Sequence, residues 1–453
     1  MRRALACLTL VAAASAAAPA HANGRFPRSM KLVFQPGHPE TALAGLTFGV
    51  FLTKDDGATW RWICEAAVGF EGTFDPDYEL SGSGAMFATT PHGLRISRDA
   101  CAWLPPAGVV GTTQVSALAI GGDGALYTGT SDVVAGSAIY KSTDDGVTFT
   151  PTALVGAAGD WWSSIEVAPS AAQRLVITGY RLAGGNPRER LLFRSADGGA
   201  SWDTLPTAAL VGTDAADLLI AAIDPANPDV VFLRITATGP TIGEAIYRTA
   251  DFWTSAPGGP TWTKVLEQPD RINAVLARAG GEVLAMTPTF GMFRSTDGGQ
   301  TFAPLPGVMF DARCLVERPG GALWLCTNNV PPDSATLHRS TAGAAGPWTP
   351  ALAFADLTGP VRCAAGTAQH DTCEAMWCGL KENFAIRSEE ISCGAAIDAG
   401  VDAAGGGGGG KGCCATSPRP GVELGGVALV LAWRRRRRAR RGVTAQRPGR
   451  VSR

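Results

Sequence analysis

Few residues of this chain have the types and spacing that catalysis requires. One route to glycosidic-bond hydrolysis uses a tyrosine that a neighbouring glutamate activates as a nucleophile. The chain has five tyrosines, and only Tyr78-Glu79 and Glu244 with Tyr247 bring the two residue types close together in sequence. No Ser/His/Asp set is apparent, and the glycine run 405–410 lacks the preceding strand and the lysine–hydroxyl pair that a phosphate-binding loop needs. The sequence therefore favours a binding protein over an enzyme and predicts no catalytic residue and no cofactor.

The most informative feature is an eight-residue pattern: Ser or Thr, any residue, Asp, any residue, Gly, any residue, Ser or Thr, and an aromatic residue. Four segments match it closely, at 53–60, 142–149, 195–202 and 295–302. Degenerate copies begin at Ser97, Thr249, Ser340 and Ser388. Successive copies start 44 to 54 residues apart, which is typical of one four-stranded blade per repeat.

Each copy contains the residues that hold a tight hairpin turn together. The Ser or Thr hydroxyl and the Asp carboxylate can accept hydrogen bonds from backbone N–H groups of the turn, and the glycine adopts the positive φ that the turn requires. The aromatic residue packs back over the turn. We therefore interpret the aspartates as structural. They are Asp55, Asp99, Asp144, Asp197, Asp251 and Asp297.

The pattern and its spacing resemble the Asp-box, or BNR, repeats of β-propellers over about residues 30–393. Such propellers include sialidases, sortilin-type ectodomains, xyloglucan-degrading enzymes and assembly factors of the Ycf48 type. The resemblance implies an all-β fold, a β-propeller of seven or eight four-stranded blades, with the repeated turn between the third and fourth strands of each blade. Eight copies favour eight blades, with Gly24 to Met30 as the missing outer strand of the last. If Ser388 marks no blade, there are seven. Because these families differ in activity, the fold alone assigns no function.

The resemblance also bears on two candidate sites. Sialidases bind the substrate carboxylate through three arginines and carry an Arg-Ile-Pro signature, for which Arg25-Phe26-Pro27 and Arg234-Ile235-Thr236 are poor substitutes. The run Asp75-Pro-Asp77-Tyr-Glu79 alternates carboxylates, which can bind calcium. Asp-box propellers often have an Asp-Pro-Asp-Tyr turn between their first two strands, and this interpretation is the one we favour. The sequence thus predicts no metal site.

The N-terminus has the features of a secretory signal peptide. A basic start and an apolar run from Ala4 to Ala18 precede the small-residue cleavage site Ala20-His21-Ala22, which predicts a signal peptide over 1–22. The propeller then occupies 23–395.

The whole chain has a net charge of −1, but residues 23–410 contain 25 basic and 39 acidic residues, a net charge of −14. An acidic body argues against a nucleic-acid partner, because phosphate contacts need clustered Lys and Arg.

An even number of cysteines in an exported body predicts disulfides. Cys314 and Cys326 are equidistant from the Pro319-Gly320-Gly321 turn, so a hairpin there would place them opposite each other. Cys363 and Cys378 are similarly symmetric about a turn near His370. Buried free thiols are the alternative, and no cysteine pair has the spacing of a zinc ribbon. The eight cysteines of the body are Cys64, Cys101, Cys314, Cys326, Cys363, Cys373, Cys378 and Cys393.

After Cys393 the composition changes. A glycine-rich linker over 396–412 leads to a tail over 413–453. The pair Gly412-Cys413 lies at their junction, and a short apolar run over 422–433 and an arginine cluster follow it. This order resembles the MYXO-CTERM sorting tails of myxobacteria. The resemblance implies cleavage by a sorting protease, lipid modification of Cys413 and display at the outer surface. The apolar run is shorter than the ~20 residues of a membrane-spanning helix, so a basic tail with a chance apolar patch is the alternative.

Together these features predict an exported surface propeller that binds a glycan or an envelope protein without turning it over. Trp161-Trp162 is the candidate ligand contact, because it precedes the inner strand of the fourth unit, where face loops are expected, and because aromatic rings stack on sugars. Ordinary packing within the blade is the alternative for this pair. A glycoside hydrolase of the sialidase kind, and an envelope assembly or adhesion factor, are the alternative functions.

Overall fold

The structure is a computed structural model. The parts of the chain that it describes are residues 25–132, 136–182, 188–211, 216–237, 243–256 and 258–393. The predicted signal peptide, linker and sorting tail, including Cys413, lie outside them. The chain divides into two compact units, Met1–Asp398 and Ala399–Arg453, and the described residues all belong to the first. Within the described ranges, no helix is long and apolar enough to cross a membrane.

The described residues fold into seven sheets, which we number as blades 1 to 7. The strands of blades 1 to 4 are β1 Ser29–Gln35, β2 His38–Leu46, β3 Gly49–Thr53 and β4 Arg61–Cys64; β5 Tyr78–Leu80, β6 Met86–Ala88 and β7 Arg95–Ser97; β8 Val115–Ile120, β9 Leu126–Thr130, β10 Ala138–Ser142 and β11 Thr150–Val155; β12 Asp160–Val167, β13 Leu175–Arg181, β14 Glu189–Ser195 and β15 Asp203–Thr204. The strands of blades 5 to 7 are β16 Ala216–Ile223, β17 Val231–Ala237, β18 Glu244–Thr249 and β19 Thr263–Gln268; β20 Ala274–Ala277, β21 Val283–Thr287, β22 Gly291–Ser295 and β23 Ala303–Pro304; β24 Cys314–Glu317, β25 Leu323–Cys326, β26 Leu337–Ser340 and β27 Thr349–Leu352.

The blades form a closed ring. The first strand of each blade contacts the first strand of the next, and β1 of blade 1 contacts β24 of blade 7. The seven first strands therefore surround a central channel, which makes the fold a seven-bladed β-propeller. Outside the blades lie β28, Gly359–Pro360, and a few short helices. These are Glu65–Val68, Val109–Gly111, Ala208–Val211, Phe354–Asp356, Gln369–Cys373 and Glu374–Asn383.

The count of seven corrects two expectations. No sheet within the described residues follows the eighth copy of the repeat, and the hydroxyl of Ser388 instead donates to the carbonyl of Thr358. The expectation that Gly24 to Met30 supplies an outer strand is also wrong, because Ser29–Gln35 is the innermost strand of blade 1. After blade 7 the chain runs along the outside of blade 1, where β28 pairs in parallel with β4.

The repeated turn lies between the third and fourth strands, as predicted. In blade 3, Oδ1 of Asp144 accepts hydrogen bonds from the Ser142 hydroxyl and the Thr148 N–H, at 2.8 and 2.9 Å. Its Oδ2 accepts from the Thr148 hydroxyl at 2.5 Å, and the Ser142 hydroxyl accepts from the N–H of Gly146 at 2.9 Å. Gly146 has φ = 78°, and a Cβ there would lie 2.7 Å from Phe87 of blade 2. The same hydrogen bonds recur at the clean copies around Asp55, Asp197 and Asp297.

The degenerate copies keep part of this arrangement. Asp99 still accepts from the N–H groups of Cys101 and Ala102, but the fourth strand of blade 2 is reduced to a single bridge between Ile96 and Leu104. Blade 2 therefore has three strands. In blade 5, Asp251 accepts from the Thr261 N–H across the insertion at 3.0 Å. One carboxylate thus closes the turn even where the intervening sequence has changed.

Packing between blades pairs an aromatic ring with a glycine of the preceding blade. A Cβ on Gly45 of β2 would lie 2.5 Å from the ring of Tyr78, which begins blade 2. A Cβ on Gly129 of β9 would lie 2.7 Å from Trp162 near the start of blade 4. Both rings are almost completely buried. These glycines give the backbone close access to the next blade, which a larger residue would prevent.

Four disulfides cross-link the described chain. Cys314–Cys326 joins β24 to β25 with a sequence separation of 12, as predicted from the hairpin. The symmetric pairing of Cys363 with Cys378 is wrong, because Gln369–Cys373 and Glu374–Asn383 form helical turns rather than a hairpin. The remaining pairs are Cys64–Cys373, Cys101–Cys363 and Cys378–Cys393. They hold residues 358–393, which we call the strap. Four disulfides fit an exported protein.

The turn hydrogen bonds lead to a stability prediction. Asp144→Ala removes three acceptor bonds of the blade 3 turn, so we expect thermal unfolding of the variant to shift down by roughly 1–3 °C at pH 7. These hydrogen bonds lower the pKa of Asp144 from 3.8 to about 2. Its contribution is complete above pH 4 and is lost as the pH falls toward 2, so the difference from wild type should shrink over that range. Glu71→Ala, an exposed carboxylate change, is the control, and an equal shift in both variants would contradict the prediction.

Candidate functional site in the central channel and at its mouth

The two faces of the ring have different loops. One face carries the repeated turns between third and fourth strands. The opposite face, which we call the mouth face, is formed by the segments that enter the first strands and by the loops that join second to third strands. Side chains at the start of each first strand therefore surround the mouth of the channel. Ligand sites of propellers and barrels commonly occupy such openings.

A cavity of about 300 Å³ lies in the channel and is lined by residues of blades 1, 4, 5, 6 and 7. Its polar side chains are Lys31, Glu166, Arg234 and Asn273. Most of the remaining lining is aliphatic, with Leu315 as an example. The cavity thus combines charges of both signs with apolar walls.

Lys31, on β1, lies against two carboxylates of blade 2. Its ammonium donates to Asp77 and, at 3.3 Å, to Glu79. Burial alone lowers the pKa of Lys31, but the two carboxylates outweigh it and hold this pKa well above its ordinary value. Burial raises the pKa of Glu79, and the nearby Lys31 offsets only part of this effect. Asp77 and Glu79 therefore share one counter-ion.

Glu166, on β12, faces the same cluster. No described residue forms a hydrogen bond or ion pair with its carboxylate. Its side chain is exposed to the channel, although the surrounding blades limit the water around it and so desolvate the carboxylate. Burial raises the pKa of Glu166 from 4.5 to about 7; Lys31 lowers it, whereas Glu79 and Asp77 raise it further. Glu166 is thus the channel carboxylate whose charge changes near neutral pH.

A second charged pair lies at the edge of the cavity. Glu244 is 7 % exposed, accepts from the N–H of Ile272 at 2.8 Å and lies 3.9 Å from the guanidinium of Arg234. Arg234 also donates to the carbonyl of Ile272. Burial lowers the pKa of Arg234 and raises that of Glu244, and the attraction between them opposes both shifts. This pair fixes the segment that enters blade 6.

Neither Tyr/Glu pair forms a nucleophile. Tyr78 and Glu79 are adjacent on β5, so their side chains point to opposite faces: Tyr78 is 1 % exposed in the core, and Glu79 meets Lys31. Glu244 is engaged by Arg234, and Tyr247 is three residues further along β18.

The run Asp75-Pro-Asp77-Tyr-Glu79 enters the first strand of blade 2, rather than joining its first two strands, and Arg25 pairs with Asp75. Its other two carboxylates, those of Asp77 and Glu79, contact Lys31. Among the described residues, no group of three or more His, Cys, Asp or Glu side chains could hold a metal ion.

A polar network fixes the mouth near blades 6 and 7. Asn328 donates to Asp311 at 2.7 Å, and its backbone N–H donates to Asp333 at 3.0 Å. Arg313 forms an ion pair with Asp311 at 3.1 Å and reaches Asn273 at 3.5 Å. Burial raises the pKa of Asp333. The network joins the segment entering blade 7 to the loop between its second and third strands.

The two candidate tryptophans occupy different environments. Trp162 is fully buried and packs edge-on against Phe193, so it is inaccessible to a ligand, and the packing alternative holds for this residue. Trp161 is half-buried near the mouth end of β12 and stacks on its cross-strand neighbour Tyr180, with ring centroids 6.4 Å apart and planes at 14°. The guanidinium of Arg188 lies 4.5 Å from the centre of the Tyr180 ring. Beside them, Asp160 accepts two hydrogen bonds from Arg181, at 2.5 and 2.9 Å.

Lys31, Glu166 and Arg188 were not singled out from the sequence. A signal was present for two of them: Lys31 stands between Met30 and Leu32, and Glu166 between Ile165 and Val167. A single charge within an apolar strand marks a strand whose side chains meet a polar interior. Arg188 has no such signal, because its role depends on a contact with a ring on another strand.

Comparison with known proteins bears on the fold alone. No family model matches the chain, and no curated protein matches it. Similar solved structures include Ycf48 from Cyanidioschyzon merolae, at 14 % identity and a TM-score of 0.47 over 67 % of this chain and 93 % of that one. A GH74 xyloglucanase from Xanthomonas campestris has 17 % identity and a TM-score of 0.39 over 71 % and 58 %. The extracellular domain of a proposed hybrid two-component system from B. thetaiotaomicron has 13 % identity and a TM-score of 0.47 over 67 % and 37 %. The chain spans less than two thirds of the last two.

The environment of Glu166 leads to a pH prediction. A carboxyl whose folded pKa is raised to about 7 from 4.5 stabilises the fold below pH 4.5, and this contribution is lost as the pH rises through 7. Glu166→Gln keeps the neutral form at every pH. We therefore expect the variant to lose less thermal stability than wild type between pH 5.5 and pH 8, measured by calorimetry. Glu382→Gln, an exposed change on the strap, should follow wild type. Parallel pH curves for Glu166→Gln and wild type would contradict the pKa assignment.

Proposed function

We propose that this protein is an exported, non-catalytic propeller that binds a glycan at its mouth face and is held at the cell envelope by its C-terminal tail. The observation that carries the glycan proposal is the stack formed by Trp161, Tyr180 and Arg188. The export and anchoring parts rest on the disulfides and on the sequence of the two ends of the chain.

The stack supports sugar binding for a physical reason. The ring of Trp161 is held flat by Tyr180 on one side, and Tyr180 is held by Arg188, so little conformational entropy remains for a ligand to remove. A half-buried ring of this kind presents an apolar surface to the C–H face of a pyranose. The neighbouring Arg181 is partly exposed, and the buried Asp160 holds it in place, so its guanidinium provides donors for hydroxyl groups. This combination of a flat apolar surface with few polar groups fixes both position and orientation.

Substitution of the stacked ring tests the glycan proposal. We expect Trp161→Ala to weaken binding to a responsive polysaccharide at least about tenfold, which corresponds to ~1.4 kcal/mol, because the stacking surface is lost. Arg188→Ala should weaken binding less, since the ring remains but is held less firmly. Binding is measured by calorimetry or by retention on immobilised plant and bacterial polysaccharides and sialosides.

The matched control is Trp202→Phe, a conservative change in the repeated turn of the same blade, where other copies carry phenylalanine. Its binding should equal that of wild type. If Trp161→Ala binds as wild type does, the stack is not the site. If no polysaccharide binds, the glycan proposal fails and a protein of the envelope becomes the ligand to seek, as expected of an assembly or adhesion factor.

One observation favours a hydrolase as the second candidate. Glu166 lies in the channel cavity with a pKa of about 7, which suits a general acid. A second carboxylate would have to come from Asp77 or Glu79, and Lys31 engages both. Release of reducing sugar by wild type that is lost in Glu166→Gln would establish this candidate and remove the non-catalytic one. Binding without sugar release supports the proposal above.

The anchoring proposal concerns Cys413, in the tail. If this residue receives a lipid after sorting, Cys413→Ser should release the protein from cells into the medium, because a soluble product no longer holds a membrane anchor. Cys414→Ser is the matched control and should leave the protein on the cells. Fractionation and immunoblotting of both strains measure the outcome. Equal retention of the two variants would remove Cys413 as the anchor point.

A further inference from the structure

Blades 1 and 7 meet without exchanging a strand. The four antiparallel strands of blade 1 are consecutive in sequence, and so are the four strands of blade 7. Across the seam, the Ser29 hydroxyl donates to the carbonyl of Thr336 at 2.7 Å, and Arg318 pairs with Asp56 at 2.8 Å. In addition, Phe34 packs edge-on against Trp324. Among the described residues, the backbone pairing between the last blade and the first is a single antiparallel bridge, between Arg28 and Asn328.

The strap supplies a different connection. After blade 7 it pairs with the outer strand of blade 1 through β28. Its Trp377 is 1 % exposed and packs against Trp62, with ring centroids 6.3 Å apart. The buried amide of Gln369 donates to the carbonyl of Trp62 at 3.0 Å. Arg61 forms two hydrogen bonds with Glu390, at 2.8 and 3.0 Å. The strap is thus packed on blade 1 along most of its length.

Two disulfides make this connection covalent, and they are nested. Cys64–Cys373 ties the strap to the end of blade 1 across a separation of 309 residues. Cys101–Cys363 lies within that loop and ties the strap to blade 2 across 262 residues. Blades 3 to 7 lie within both loops. The third strap disulfide, Cys378–Cys393, closes the last part of the strap on its own helix.

We propose that the strap is a mechanical clasp. Tension applied at the C-terminal end of the strap passes through Cys64–Cys373 and Cys101–Cys363 to blades 1 and 2, and does not unfold blade 7. Without the two disulfides, tension would first strip the strap and then peel the outer strands of blade 7 one after another. With them, tension between the two ends of the chain bypasses the backbone of blades 3 to 7. The proposal rests on the anchoring part of the proposed function, which makes the C-terminal end the point where load enters.

Force spectroscopy on the folded mature chain, held at its two ends, tests the clasp. A separation of 309 residues corresponds to about 110 nm of extended chain at ~3.6 Å per residue. We expect oxidised wild type to show no extension of this length before the pulling force detaches the protein from the surfaces that hold its two ends. The variant C64S/C373S should release only the 47 residues by which 309 exceeds 262, about 17 nm of extended chain. Removing both pairs should release the full length in steps and at lower force.

Two further measurements keep the test decisive if a variant fails to fold. Reductant added to folded wild type should reproduce the behaviour of the variant that lacks both pairs. The control C314S/C326S should behave as oxidised wild type, because both of these cysteines lie inside the nested loops. Release of about 110 nm by oxidised wild type overturns the proposal. So does reduced wild type that withstands the same force as the oxidised protein, since noncovalent contacts would then carry the load.

The outcome is separate from that of the anchoring experiment. Pulling uses purified protein and does not require sorting of the tail, whereas the Cys413 experiment uses cells and does not require the clasp. A chain that resists force but is not retained on cells has the clasp and lacks the anchor. A chain that is retained but unravels from blade 7 has the anchor and lacks the clasp.

Discussion

Ring closure is the constraint on which this architecture depends. A propeller is a circular object made from a linear chain, so the last blade must be fixed to the first by something other than chain continuity. Here a single backbone bridge and a few side-chain contacts cross the seam between blades 1 and 7, and the chain itself turns outward after blade 7. The covalent links Cys64–Cys373 and Cys101–Cys363 restrict the unfolded chain most strongly, because loop-closure entropy grows with the length of the loop. The burial of Trp377 and Gln369 then determines where the strap lies.

Within each blade the determinants are local. The turn around Asp144 needs only residues within a few positions of one another, and the same bonds recur wherever the pattern recurs. Contacts between blades follow a second rule, in which a ring enters the space above a glycine, as at Gly45 and Tyr78. Blade 2 keeps its repeated turn and its contacts with both neighbouring blades without a full outer strand, which explains how a blade with only three strands fits into the ring.

The separation in sequence between the interacting residues explains which features the sequence could predict. The blades and their turns could be predicted, because the information lies within each repeat, and Cys314–Cys326 belongs to the same class. Ser388 resembled the start of another repeat, but one residue of a pattern does not make a hairpin. The partners of Cys363 and Cys378 depend on where the strap packs, which no local pattern encodes. Trp161 and Trp162 alternate across β12, so one faces the core and the other does not, yet composition treats them alike. The channel charges come from four blades, and only the finished ring brings them together.

The nested disulfides have a consequence for how the protein matures. Translocation across a membrane proceeds from the N-terminus, so Cys64 and Cys101 enter the oxidising compartment long before Cys363 and Cys373. During that interval, the nearest available partner of each early cysteine is the other one. A bond formed between them has to be broken before the ring can close, since each is needed elsewhere. Formation of the native pairs therefore requires thiol–disulfide exchange, as well as oxidation, wherever such a bond has formed.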